Sequence, residues 1–265
     1  MLERIRVVLI GTSHPGNIGG TARAMKNMGL SDLALVAPRG EARSADAISR
    51  ASGADEILAA APIVTNLEEA VADCTLVVGA SARSRTLPWP MLTPRALGER
   101  LSQELTGPEA RVALVFGRED TGLTNAELQR CHAHVHIPSD PAFSSLNLAT
   151  AVQVLAYECR LAWLASQEGT VTATIERQQP FGIDWDNPLA DHGDLERFFA
   201  HLERVLIAID FHDPDTPRQL MARLRRLYLR ARPDQMEINI LRGMLTAMEK
   251  RVGRSPTARH DGEHS

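Results

Sequence analysis

The apolar residues of the chain fall into short uninterrupted runs, separated by longer segments of helical spacing. IRVVLIG (5–11), LALVA (33–37), TLVVGAS (75–81), VALVFG (112–117) and HVHIP (134–138) predict strands. VVLI, LVV and VALVF are continuous rather than alternating, as in strands buried on both faces. Between them the spacing predicts helices at about 18–28, 44–51, 67–72, 94–105, 124–131 and 146–167. This alternation predicts an α/β domain over residues 1–167 with a mostly parallel sheet. Ligands of such sheets gather at the carboxyl ends of the strands. Candidate chemistry is therefore expected at 11–20, 79–89, 117–122 and 138–147.

Beyond that domain the pattern changes. Residues 168–193 lose periodicity and read as a linker, and helical patterns follow at about 194–210, 217–231 and 234–252. They predict a small helical C-terminal extension, with 253–265 as a disordered tail. At 265 residues, 44% hydrophobic and 23% charged, the chain has the balance of an ordinary globular protein. The apolar run at the N-terminus is too short for a signal peptide or a membrane span, and no later run approaches the roughly 18 residues a span needs. No membrane partner is expected. Cys74, Cys131 and Cys159 are too few and too scattered for a disulfide framework, which predicts a reduced, cytoplasmic protein.

The net charge of −4 speaks against a nucleic-acid partner until its distribution is read. Residues 184–215 hold nine acids against two arginines, whereas 217–232 hold six arginines and no acid. A basic patch is hidden in the total. With Leu220, Leu224, Leu227 and Leu229 between the arginines, the second segment is an amphipathic helix. Its basic face is either merely solvated or in contact with RNA phosphates, and Arg223, Arg225, Arg226 and Arg230 are the candidates.

The glycine-rich turn SHPGNIGGTAR (13–23) follows the first strand and opens a helix, yet its spacing fits neither nucleotide-binding fingerprint. The second strand ends LALVAPRG, without the acid that would hold a ribose, so a nicotinamide site is not expected. Tight backbone packing between strand and helix is the plain explanation of those glycines. Arg23 lies beside the helix's buried stripe of Ile18, Ala22, Met25 and Met28. It is either an ordinary surface arginine or a phosphate or ribose contact, for which a guanidinium offers a rigid fork of donors. His132, His134 and His136 share one face of a strand beside Cys131. With no further ligand at an obvious spacing, a solvent-facing strand edge accounts for them, and no metal is expected.

Three stretches carry a stronger signal together. NIGGTAR (17–23), LVFGREDTGLT (114–124) and IPSDPAFSSLNLATAVQV (137–154) resemble the three motifs of the SPOUT superfamily of RNA 2′-O-ribose methyltransferases. The matching residues are Asn17, Gly19, Arg23, Phe116, Gly117, Glu119, Gly122, Leu123, Ile137, Pro138, Ser145, Leu146 and Asn147. GASARSRTLPWPML (79–92), SSLNLA, LRRLYLRARP and NILRGML narrow the resemblance to the bacterial tRNA (cytidine/uridine-2′-O-)-methyltransferases, which act on nucleotide 32 of the anticodon loop. Another tRNA or ribosomal RNA nucleotide is the alternative target. An inactive RNA-binding module is a further one, disfavoured by the joint presence of Arg23, Glu119, Ser145 and Asn147.

The resemblance implies a deep trefoil knot at the end of the α/β domain, a homodimer, and S-adenosyl-L-methionine as cofactor. It implies that backbone groups of three loops hold the cofactor: Gly79, Ala80 and Ser81; Gly117 and Glu119; and Ile137, Ser144, Ser145, Leu146 and Asn147. Gly79 and Gly117 would let the backbone approach it closely. A cofactor without phosphate needs no phosphate cradle, which fits the failed fingerprints. Arg23, Ser145 and Asn17 are the implied catalytic group. A guanidinium ordinarily titrates above about 12, so Arg23 suits a phosphate and ribose clamp better than a base. Ser145 would position the 2′-oxygen, or else serve only as the N-cap of the helix 146–167. Arg23, Arg83, Arg85 and Arg118, together with the arginines of 217–232, are the implied RNA contacts.

Overall fold

The computed structural model describes residues 1–81, 88–167 and 187–252. The strands are β1 (Ile5–Ile10), β2 (Asp32–Val36), β3 (Ile63–Val64), β4 (Leu76–Ala80), β5 (Met91–Leu92), β6 (Val112–Phe116) and β7 (Ala133–Val135). Among the described residues they form one sheet in the order β3-β2-β1-β6-β4-β7-β5, with every pairing parallel. The helices between them are α1 (Pro15–Met28), α2 (Ala45–Ala51), α3 (Asp55–Ala60), α4 (Leu67–Val71), α5 (Pro94–Glu104), α6 (Asn125–Arg130) and α7 (Leu148–Gln167). β3, β5 and α3 escape the sequence pattern; the two strands have only two residues each, too few to show a period.

The continuous apolar runs have the expected cause. Val7 and Leu9 of β1 and Leu114 and Phe116 of β6 point into a core shared with α1, α2, α5 and α7. Val8, Ile10, Ala113 and Val115 point to the opposite face, toward α4 and α6. Both faces are covered, so alternation of polar and apolar residues has no place. The glycines of α1 serve helix packing rather than the strand–helix packing expected. A Cβ on Gly19 would fall 2.0 Å from the Ala47 carbonyl oxygen of α2, and one on Gly20 would fall 3.1 Å from the Ala149 Cβ of α7.

The histidine stretch is not a solvent-facing edge. β7 lies between β4 and β5, and His132 and His134 are each only 4% exposed. The Val77 N–H donates to His132 Nδ1 at 3.0 Å, and burial pushes that imidazole well below its ordinary pKa, so it is neutral. Burial likewise raises the neighbouring Cys131 thiol to about 12. Among the described residues no group of three histidine, cysteine or acidic side chains is placed to hold a metal ion.

The C-terminal helices α8 (His192–Ala208), α9 (Leu220–Ala231) and α10 (Gln235–Val252) enclose their own apolar cluster, with Phe198, Phe199, Leu202, Leu229, Ile238 and Leu245. α8 starts at His192, so the segment expected to be linker ends sooner; residues 168–186 and the tail 253–265 lie outside the described residues. The cluster is docked on the α/β unit. Trp89 packs against it, and the backbone N–H groups of His192 and Gly193 donate to Cys74 and Ala72 carbonyls at 3.0 and 2.9 Å. The half-buried Arg232 guanidinium donates to the Thr75 carbonyl and pairs with the Glu104 carboxylate. Among the described residues no helix is long and apolar enough to cross a membrane.

Candidate active site

The site begins where β1 ends. α1 starts with Pro15 after His14, and its first turn has no side-chain cap from its own N-cap residue. Glu119, from the turn after β6, takes that place. Its Oε2 accepts from the Ser13 backbone N–H at 3.1 Å and the Ser13 hydroxyl at 3.2 Å. Its Oε1 accepts from the His14 N–H at 3.2 Å and from Asn17 Nδ2 at 3.0 Å. A carboxylate there also meets the positive end of the helix dipole. Burial alone would raise its pKa; the Asn17 amide and the backbone donors outweigh it and hold the carboxyl below its ordinary value.

The same asparagine reaches the third motif. Asn147 Nδ2 donates to Asn17 Oδ1 at 2.9 Å, and Asn147 Oδ1 accepts from the Ala149 and Thr150 N–H groups at 3.0 and 3.4 Å. Asn147 is therefore the N-cap of α7. Ser145 is not, which removes the purely structural explanation offered for its hydroxyl. Glu119, Asn17 and Asn147 form one hydrogen-bonded chain that links all three motifs at the carboxyl edge of the sheet.

The glycines of the motifs have packing reasons. A Cβ on Gly117 would fall 2.1 Å from the Gly122 carbonyl carbon and 2.2 Å from the Leu123 nitrogen. The chain doubles back there, with the Arg118 N–H donating to the Gly122 carbonyl at 3.2 Å and the reverse bond at 2.9 Å. Gly122 itself has φ +69°, the left-handed region that favours glycine. A Cβ on Gly79 would press on Cys131 Sγ at 2.9 Å and Leu123 Cδ1 at 3.1 Å. The protein's own packing therefore requires glycine at both positions, whatever else approaches the backbone there.

Around this frame lie the other candidates. Arg23 is exposed and lines a shallow groove of about 260 Å³ between α1 and α7, with Gly20, Asn27, Ala149, Thr150 and Gln153. Ser144, Ser145 and Leu146 are exposed just before Asn147, while Ile137 is half-buried against the core. Ala80 is half-buried at the end of β4. The Ser81 N–H donates to the Val135 carbonyl at 3.0 Å, and His136 Nδ1 stands 3.3 Å from the Ser81 carbonyl oxygen.

The arginines divide. Arg83 and Arg85 lie outside the described residues. Arg118 makes a two-point pair with Glu127 at 3.0 and 3.1 Å, which raises its own pKa. Glu127 also closes a capping box with Thr124, a T-x-x-E spacing that marks the start of α6 in the sequence. Arg225 pairs with Glu196 and stacks over the Phe199 ring at 4.5 Å, so the acidic segment 184–215 meets the basic helix at this point. Arg226 donates to the Pro88 carbonyl at 2.9 Å. Arg223 and Arg230 are exposed.

The parallel sheet, the Asn–Asn–Glu bridge at its carboxyl edge and the solvent-facing arginine agree with what comparison with known proteins shows. The chain belongs to the SpoU rRNA Methylase family, which it matches over residues 4–157. Its last helices, residues 193–258, match the C-terminal domain of the tRNA methyltransferase TrmJ. The tRNA (cytidine/uridine/adenosine-2′-O-)-methyltransferase TrmJ of Pseudomonas aeruginosa is 57% identical, over 94% of this chain and 95% of that protein. The tRNA (cytidine/uridine-2′-O-)-methyltransferase TrmJ of Cronobacter sakazakii is 54% identical, over 97% of this chain and all of that protein (100%). The crystal structure of TrmJ from Z. mobilis ZM4 superposes with a TM-score of 0.76 at 32% identity, covering 92% of this chain and 98% of that one.

Proposed function

We propose that this protein transfers a methyl group from S-adenosyl-L-methionine to the ribose 2′-oxygen of nucleotide 32, C or U, in the anticodon loop of tRNA. The observation that carries the reading is the Glu119–Asn17–Asn147 chain, which ties three motifs of distant sequence into one site beside Arg23. The tRNA-specific names of the relatives and the match over 193–258 favour tRNA over ribosomal RNA.

The residues at the carboxyl edge fit the cofactor. Exposed Ser144, Ser145 and Leu146 and half-buried Ile137 offer backbone polar groups beside apolar surface. Gly79, Ala80, Ser81, Gly117, Glu119, Ile137, Ser144, Ser145, Leu146 and Asn147 belong to the loops that would hold it. When bound, the cofactor supplies an electrophilic methyl group on a positively charged sulfur. The ribose hydroxyl is a poor nucleophile, so negative charge must be met as its proton leaves. Arg23 meets it, clamping the adjacent phosphate and donating to the developing oxyanion from the α1–α7 groove. The Ser145 hydroxyl positions the 2′-oxygen, while Asn17 and Asn147 hold the two loops in register.

The same reading divides the chain into a methyltransferase unit (1–167), a linker (168–191), a tRNA-gripping helical unit (192–252) and a tail (253–265). It includes a knotted passage of the chain into α7 and a cytoplasmic homodimer. Exposed Tyr157 and Leu164 on α7, beside the Arg23 groove, favour that face for the second copy. Arg223 and Arg230 are the free phosphate contacts of α9.

The test uses purified protein, labelled S-adenosyl-L-methionine, and tRNA transcripts carrying C, U, A or G at position 32. The 2′-O-methyl group is mapped on the product. Methylation at that nucleotide, lost in Arg23→Ala, is expected. Methylation elsewhere would discard the position, and retention of most activity in Arg23→Lys would exclude a two-point clamp.

A further inference from the structure

Of the five described phenylalanines, Phe116, Phe198 and Phe199 are 1–2% exposed, as the hydrophobic effect predicts, and Phe211, at 65%, lies in the turn after α8, away from the three motifs. Phe143 is 81% exposed, two residues before Ser145. Its segment is held, not loose. The Phe143 N–H donates to the Asp140 carbonyl at 2.9 Å, the Ala142 N–H to Asp140 Oδ1 at 2.8 Å, and the Ser139 hydroxyl to the Ser144 carbonyl at 3.1 Å. Pro141 stiffens the same turn. Four residues further on, Asn147 anchors the segment to α1. A well-bonded turn thus presents a bare aromatic ring beside the site.

We propose that Phe143 is a stacking platform for an unpaired base of the RNA substrate, at or next to the nucleotide whose ribose is methylated. This rests on the function proposed above. Single-stranded loops are recognised by splaying bases onto aromatic side chains, and the stacking does not depend on base identity. The chemistry of the segment selects a base rather than a phosphate. PSDPAFSSLN (138–147) contains no lysine or arginine, and its one charge, Asp140, is negative and engaged in the turn. Phosphate contact falls to Arg23, across the Asn17–Asn147 bridge, so ribose, phosphate and base each meet a different side chain. Such a platform adds affinity for an unpaired target without choosing among bases.

The experiment compares Phe143→Ala, Phe143→Leu and Phe143→Trp with the wild-type protein. The binding arm measures affinity for a fluorescent anticodon stem-loop RNA in the absence of cofactor. The turnover arm measures KM and kcat with tRNA, and calorimetry and light scattering give cofactor affinity and particle mass. Loss of one stacked base predicts about 5- to 150-fold weaker RNA binding for the alanine variant. Cofactor affinity and mass are expected to stay unchanged. The tryptophan variant is expected to restore RNA affinity, and the leucine variant, apolar but without a π face, is expected to fail. Wild-type affinity in the alanine or leucine variant overturns the proposal. So does a loss confined to cofactor binding or to self-association, which would place the ring against the cofactor or a second copy. Because the binding arm needs no methyl transfer, an inactive wild-type protein would refute the proposed function while leaving Phe143 decided by the RNA affinities.

Discussion

Glu119→Gln is the sharpest perturbation the site allows, because it keeps the shape of the side chain and removes only charge and one acceptor. Each carboxylate oxygen receives two donors, from Ser13 on one side and from His14 and Asn17 on the other. Whichever oxygen becomes an amide nitrogen, a backbone N–H at the start of α1 then faces a donor. Hydrogen bonds to a charged group contribute about 1.5–3 kcal/mol against about 0.5–1.5 for neutral ones. Part of that is recovered by water, since Glu119 is only partly buried. The expected loss is about 2–4 kcal/mol, or roughly 5–15 °C in Tm for a chain of this size. The pH dependence follows the depressed pKa. The carboxylate's contribution is fully present above its ordinary value near 4.5 and is lost as pH falls through the lower folded value. Thermal melts from neutral to acid pH should therefore show the variant converging on the wild type at the acid end. With Asn17 released, kcat/KM should also fall at least about tenfold. A variant that melts within about 1 °C of the wild type and keeps its activity would refute the idea that this carboxylate holds the motifs together.

Three further perturbations probe other parts of the structure. Asn147→Asp keeps the acceptor that caps α7 but loses the donor to Asn17, so Tm should hold within about 2 °C while kcat/KM falls at least about tenfold; equal losses of both would make Asn147 merely a cap. Arg232→Met leaves the buried Glu104 with Arg100 as its remaining partner and cuts the hold on the Thr75 carbonyl, so urea unfolding should lose about 3–5 kcal/mol or split into two transitions. Burial keeps His132 neutral, its pKa depressed, so the unfolded chain binds the extra proton and stability should fall as pH drops below about 6.5. His132→Asn, which can still accept from the Val77 N–H, should flatten that slope in urea midpoints measured between about pH 7.5 and 5.5.

The elements that matter to the site were legible because their periods are long or their runs unbroken. β1, β6 and α7 appear within a residue or two of their expected bounds, and the sheet's parallel pairing follows from their burial on both faces. The histidine stretch misled because alternation on a short strand looks alike whether the shared face meets water or a packed neighbour. Only the position of β7 between β4 and β5, with α8 supplying His192 at 6.3 Å from the His132 ring, decides it. The glycines are legible only in part. Gly79 and Gly117 are where close approach is required, yet sequence does not say what approaches; on the Cβ side it is Cys131, Leu123 and the returning turn.

The arginines carry the same lesson to the nucleic-acid surface. A run of six in 217–232 reads as one basic face. In three dimensions Arg225 belongs to Glu196, Arg226 to the Pro88 carbonyl and Arg232 to Glu104, while Arg218, Arg223 and Arg230 remain exposed. A guanidinium already bonded inside the protein has to break those bonds before it can release a counterion from RNA, so it adds little to affinity. The salt dependence of tRNA binding should therefore drop by about one unit of slope for each of Arg223→Ala and Arg230→Ala. Arg226→Ala should leave the slope nearly unchanged and instead loosen the seat of Trp89 against the helical unit. Equal slopes lost at all three positions would mean that the basic run acts as the undivided patch its sequence suggests.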